Sequence, residues 1–222
     1  MRIIRLLIAF DGTGYCGWQR QKNGPSIQET IERALSIICN EAVILHGAGR
    51  TDAGVHAEGM SAHFQTNSTI DSTALKKGLN ALLPGAIRII SLADAAADFH
   101  ARFSAQAKTY RSGEHDFSSF ETTGSRDKDR RNGRGAVRTI FNARLSGPED
   151  DYLQFFLTGD GFLRHMVRNL IGTILEVGKG KRTVQEFVDI LGYRDRNRAA
   201  ATAPSRGLCL IKVHYERDWN SG

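Results

Sequence analysis

Apolar positions along this chain change their spacing often enough to mark most of its elements. Residues 2–10 (RIIRLLIAF) form a branched apolar run that stops at Asp11-Gly12-Thr13-Gly14, a turn-prone cluster, which predicts a buried strand entering a loop. From Ser26 to Cys39 the spacing becomes helical: Ile27, Ile31, Ala34, Leu35 and Ile38 share one face, and Ser26 with Glu29 has the S-x-x-E spacing of a capping box. Strands are predicted around 43–47 and 59–66, separated by a polar turn at 49–56. Asp71 opens a helix carrying Leu75, Leu79 and Leu82, Pro84-Gly85 stops it, and 87–92 reads as another strand.

The second half alternates less clearly, with strands predicted near 101–111, 136–145 and 152–158. A helix over 161–177 carries Met166, Leu170, Ile174 and Val177 and ends at Gly178, a residue suited to a left-handed stop. Thr183 and Glu186 cap the next helix, which runs to Gly192, and 208–215 closes the pattern as an apolar strand. Two similar sets of strands and helices predict an α+β architecture of two half-domains, 1–98 and 99–222, each a sheet with helices on one face; one long mixed sheet shared by both is an open variant. Residues 121–138 break the pattern. They are rich in Lys and Arg and almost free of apolar residues, which suits either a solvated loop or a basic arm that seeks phosphates.

Composition narrows the class. The 222 residues hold 30 Lys plus Arg against 24 Asp plus Glu, a formal charge of +6 that favours an acidic partner. With 41% hydrophobic and 24% charged residues the chain falls well outside the disordered class. The apolar run at 3–10 contains Arg5 and is too short to span a bilayer, and it has no cleavage site of a secretory signal, so a cytoplasmic protein is expected. Cys16, Cys39 and Cys209 are odd in number and lack CxxC spacing, which argues for reduced packing cysteines over a disulfide framework or a thiolate zinc site.

The segment GAGRTDAGVHAEG (47–59) sets small residues around Arg50, Asp52 and His56, a composition that lets a polynucleotide backbone approach closely. Spacing alone is equally met by a tight turn in which Asp52 bonds its own backbone. Six other segments accompany it: AFDGTGYCGWQRQ (9–21), NALLPG (80–85), DFHARFSAQAKTYR (98–111), GEHDFSSF (113–120), VRTI (137–140) and HMVRN (165–169). In this order, with GRTDAGVHA at 49–57, they resemble the tRNA pseudouridine synthase A family over nearly the whole chain. The resemblance implies two related α+β halves whose mixed or antiparallel sheets join around a central basic cleft, with helices on the outer face and a homodimer as the usual assembly. It also implies the reaction. Uridines in the anticodon stem-loop of tRNA are isomerised by breaking the N-glycosidic bond and rejoining the base through C5, with no cofactor and no metal.

By the same resemblance Asp52 is the nucleophile. A carboxylate can form a covalent intermediate that separates glycosidic cleavage from rejoining, provided it stays ionised, which calls for a cationic neighbour. A guanidinium is permanently charged and grips a carboxylate through two parallel hydrogen bonds, and Arg168 of HMVRN is the matching position. Tyr110 matches the family's active-site tyrosine, suited to stacking under uracil or to moving the C5 proton. Arg50 matches a residue expected to enter the RNA stack while the uridine is extruded. Tyr15, Trp18, Gln19 and Arg20 interleave aromatic and basic side chains as RNA-contacting surfaces do, although core packing suits Trp18 equally well. Arg102 and Arg138 are candidate phosphate ligands, while His56, His100 and His165 show no metal spacing and are assigned either to support the site residues from behind or to pack.

The chain departs from the family pattern in two places, one of them the basic stretch at 121–138, which differs from the apolar, often cysteine-containing stretch that the resemblance implies. Between Arg111 and Gly113, where it has only Ser112, the family carries a few dozen further residues comprising the rest of a strand, a connection and a helix. Either the protein is shortened there or the sequence runs across an omitted segment. Omission is the expectation, because cutting a strand at that point leaves backbone groups unpaired. Two other functions stay open: an RNA-binding or RNA-chaperone protein on the same scaffold without catalysis, and a uridine-directed glycosidase in which water intercepts the Asp52 intermediate.

Overall fold

A computed structural model describes residues 1–105, 114–122, 135–149 and 152–215. The chain divides into two compact units, Met1–Gln106 with Ser205–Glu216, and Ala107–Pro204 with Arg217–Gly222. The described strands form two separate sheets, and with the helices they make an α+β protein.

The first unit is built on β1 (Arg2–Phe10), which pairs antiparallel with β3 (His56–Thr66) on one side and with β4 (Ile87–Ala95) on the other. Alternation along β1 sends Ile4, Leu6, Ile8 and Phe10 to one face, where they meet Met60, Ala62 and Phe64 of β3. Helix α1 (Ile27–Cys39) closes this core with Ile27, Ile31, Ala34 and Leu35, and α2 (Ser72–Leu82) adds Leu75 and Leu79. The far edge of β3 is shared by β2 (His46–Gly47) at one end and by β8 (Cys209–Leu210), which runs parallel to it, at the other. This pairing is why 205–215 belongs with the first unit. The opposite face of β1 turns Arg5 toward the rings of Tyr215 and Phe99, at 4.2 and 5.5 Å, and Tyr215 donates its hydroxyl to Ala101 O. Those contacts keep residues beyond 98 with the first unit as well.

The second unit contains the antiparallel sheet β5 (Glu114–Asp116), β6 (Val137–Glu149) and β7 (Tyr152–Gly159), with helices α3 (Met166–Gly178) and α4 (Val184–Tyr193). Among its described residues the core is formed by Phe117, Phe120, Ala136, Leu163, Met166, Leu170, Ile190 and Ala199.

Several elements differ from the pattern-based reading, each for a visible reason. The strand expected at 43–47 shrinks to two residues because helix side chains take the backbone of Leu45: its N–H donates to Glu32 Oε1 and its carbonyl accepts from Gln28 Nε2. The start of the strand expected at 101–111 is a turn, in which the amides of Arg102 and Phe103 donate to His100 Nδ1 and Ser104 N donates to His100 O; its remainder lies outside the described residues. Helix α3 begins at Met166 and not at 161, because His165 sits at φ 60°, and the left-handed residue beyond its end is Gly180, at φ 68°, not Gly178. The closing strand is confined to Cys209–Leu210. Only half of the expected box forms on α1: Ser26 Oγ accepts from Glu29 N, while the Glu29 carboxylate pairs with Arg33. Thr183 and Glu186 form the full reciprocal box on α4.

Among the described residues no helix is long and apolar enough to cross a membrane.

Candidate active site

In the first unit, residues 48–55 form a loop between β2 and β3 that is supported by backbone hydrogen bonds. Trp18 N donates to Thr51 O at 3.1 Å, Gly54 N donates to Tyr15 O at 3.3 Å, and Val55 N closes a turn onto Asp52 O at 3.2 Å. Such proximity needs glycine on the facing loop. A Cβ on Gly17, whose φ is +94°, would lie 2.5 Å from Thr51 O, and one on Gly12 would lie 2.1 Å from Val55 O. Gly54, at φ +74°, closes the turn after Asp52 and faces Ser205, whose Oγ is 2.9 Å from where a Cβ would sit. Three residues later Leu208 O accepts from His56 N, and β8 pairs with the first residues of β3. The loop is thus gripped by 12–18 on one side and 205–208 on another. The sequence reading passed over the second segment, since a short Pro-Ser-Arg-Gly turn gives no sign of which strand it joins.

Asp52 is partly buried at this loop and Arg50 is exposed. His56 Nδ1 lies 3.1 Å from Asp11 Oδ1. The Asp11 carboxyl is held below its ordinary range, first by the Thr13 hydroxyl, then by the Thr13 amide, with His56 adding a smaller attraction.

The neighbouring candidates separate. Trp18 is 2% exposed, packs against Phe10 and fills the space over Gly47, the position of the core-packing alternative. Tyr15 also packs against that core, while Gln19 and Arg20 remain exposed. Arg20 pairs at 3.0 Å with Glu32, a carboxylate only 5% exposed that also accepts from Gln28 Nε2 and Leu45 N. Arg102 is exposed, its guanidinium 5.7 Å from the ring of Phe103, which is itself 64% exposed. His46, His63 and His100 cluster with ring centroids 4.5–5.7 Å apart. Burial, then the charges of His100 and His46, push His63 down to about 4. Among the described residues no group of three or more His, Cys, Asp or Glu is arranged to hold a metal ion.

In the second unit, Arg168 lies in the first turn of α3. Its Nε donates to Ala203 O at 2.7 Å, and Ala203 N donates to Arg168 O at 3.1 Å. His165 packs at the start of that helix, with Nδ1 2.9 Å from Thr122 Oγ1. Arg138 is 9% exposed, and its guanidinium donates to Gly135 O at 3.0 Å and to Val137 O, bracing its own turn. Tyr110, the Arg111–Gly113 junction and most of the basic stretch at 121–138 lie outside the described residues.

A family model described as tRNA pseudouridine synthase matches residues 6–104 and 107–216. The tRNA pseudouridine synthase A 1 of Desulfotalea psychrophila is 47% identical over 251 aligned positions, covering 97% of this chain and 100% of that protein. The tRNA pseudouridine synthase A proteins of Acetivibrio thermocellus and Citrifermentans bemidjiense are 40% and 38% identical, over 97% of this chain and 100% and 98% of theirs. Since 97% of 222 residues is about 215, the 251 positions shared with the Desulfotalea protein include about 36 residues with no counterpart here. The matches extend from the first strand through the Asp52 loop and the Arg168 helix to the closing β8 segment, and the chain belongs to the tRNA pseudouridine synthase family, a family of isomerases.

Proposed function

We propose that this chain converts uridine to pseudouridine in the anticodon stem-loop of tRNA, with Asp52 as the nucleophile. The tRNA pseudouridine synthase reaction follows from family membership, the anticodon stem-loop from the resemblance, and the choice of nucleophile rests on one observation: Asp52 stands on a partly buried loop that backbone contacts hold from two sides. A carboxylate so held can meet a sugar carbon without ordering cost at the moment of reaction.

A carboxylate oxygen of Asp52 bonds to C1′ of the extruded uridine as the N1–C1′ bond breaks, and the electron pair leaves with the uracil anion. The base rotates, C5 attacks C1′, and the ester bond to Asp52 opens, so the carboxylate is regenerated. The C5 proton then departs and N1 gains one, leaving the atom count unchanged. Arg168 is the cation proposed to keep Asp52 ionised. Supporting this, Arg168 stands in the first turn of α3 with its Nε held by Ala203 O, a fixed cation within its own unit. Arg50, exposed on the same loop, is suited to filling the stack that the uridine leaves. Tyr110 is proposed to lie beneath the base. Gln19, Arg20 and Arg102 supply exposed polar and cationic groups for the RNA, and a cytoplasmic homodimer around a basic cleft is the proposed assembly.

Incubating the protein with undermodified tRNA and mapping pseudouridine chemically tests this assignment. Asp52→Ala is expected to lower the rate at least about a thousandfold while tRNA binding persists; modification that survives the substitution refutes the nucleophile. The 36 residues that the Desulfotalea protein has and this chain lacks favour one other reading, an RNA-binding protein without catalysis. In that case the unaltered protein binds tRNA with a steep salt dependence and forms no isomer.

A further inference from the structure

Asn169 follows Arg168 on α3 and is 0% exposed. Its Nδ2 donates to Phe120 O at 2.7 Å, and its Oδ1 accepts from Thr202 Oγ1 at 2.7 Å and from Arg196 Nη2 at 3.1 Å. Rotating the amide by half a turn would set an N–H against the guanidinium and put oxygen against a carbonyl, so the orientation is fixed by its partners. One helical turn on, Thr173 Oγ1 donates to Asn169 O at 2.9 Å and accepts from Ala200 N at 3.1 Å. Between them Gly172 lets the chain pass so closely that a Cβ there would lie 2.0 Å from Ala201 O. Residues 200–202 are therefore clamped along α3, and the next residue is Ala203, the acceptor for Arg168 Nε. With Nε committed to that carbonyl, a carboxylate gripped through two hydrogen bonds must be met end-on by the two terminal nitrogens of the guanidinium.

We propose that Asn169, with Thr202 and Arg196 as its donors, is the positioning residue for Arg168, fixing the plane of the guanidinium by holding the 200–203 backbone in place. This rests on the reading of Arg168 as the charge partner of Asp52. Asn169 touches no reacting atom. It acts through the carbonyl of Ala203.

The full-length protein tests this by single-turnover pseudouridine formation at saturating tRNA, followed across pH, in Arg168→Lys, Asn169→Ala, Thr202→Val, Thr202→Ser and Thr183→Ala. Arg168→Lys is expected to slow the reaction and to move the acid limb of its pH profile upward, because the carboxylate is held ionised less well. Thr202→Val and Asn169→Ala are expected to reproduce both changes, with rates about 10- to 100-fold down and tRNA affinity within about twofold of the parent. Thr202→Ser restores the hydroxyl and the rate. Thr183→Ala, which removes a helix cap elsewhere in the same unit, loses thermal stability and keeps the parental profile. Thr202→Val remains informative if Asn169→Ala fails to fold. Parental rates and acid limbs in Thr202→Val, alongside a shifted Arg168→Lys, overturn the positioning role alone. An unshifted Arg168→Lys removes the charge-partner reading and this inference with it.

Discussion

The Asp52 loop and the Arg168 turn are held in place by different means. The loop in the first unit rests on backbone hydrogen bonds and on glycines that let backbone touch backbone, over a core that spans three strands and two helices. The turn in the second unit rests on side chains, Asn169, Thr173, Thr202 and Arg196, beside a core that includes Phe120, Met166 and Leu170. A backbone cradle is indifferent to most side-chain changes and intolerant of any added Cβ at its contacts. A side-chain network fails when one polar partner is removed, because a buried donor or acceptor is then left unsatisfied.

Gly17→Ala strikes the cradle hardest. A left-handed φ and a Cβ 2.5 Å from Thr51 O together predict a loss of about 2–4 kcal/mol, read by urea denaturation. An unchanged midpoint would show that the cradle yields and that the contrast is false. Thr173→Val tests the network. The isosteric change leaves Ala200 N without its acceptor and is expected to cost about 1–3 kcal/mol, by the same measurement. A pH-dependent effect belongs to His63. Its folded pKa of about 4 lies below the ordinary 6.5, so the unfolded chain binds the proton more tightly. The stability it confers is complete above pH 6.5 and is lost as pH falls toward 4. Thermal midpoints of the parent should drop through that window, and those of His63→Gln should drop less. Thr183→Ala removes the oxygen that accepts from Glu186 N and is expected to cost about 1 kcal/mol in thermal unfolding, touching neither region.

Legibility in the sequence followed the locality of the forces. Helices were readable because cap and apolar stripe lie within a few residues: Asp71 accepts from Thr73 and Ala74, and Thr183 from Glu186, as their spacing predicts. Strand ends were not, because they depend on partners far away in the chain. Nothing near Leu45 announces that Gln28 and Glu32 will take its backbone groups, and nothing near Leu208 announces His56. Trp18 shows the same limit in the site: an aromatic beside Gln19 and Arg20 has the composition of an RNA-contacting patch, and only the closeness of Gly47 reveals that its ring points inward. Asp52 and Arg168 were singled out by motif, while Asn169 escaped notice because its partners Phe120, Arg196 and Thr202 are scattered through the chain.

The return of β8 to the edge of β3 governs the order in which a nascent chain can mature. A ribosome delivers β1, β3 and β4 early, and these can zip together while the later residues are still being made. His56 N finds Leu208 O only after residue 208 has emerged, so the loop bearing Asp52 gains this support later than the strands gain theirs. Truncation before residue 205 would leave a paired sheet whose Asp52 loop lacks the support of residues 205–208.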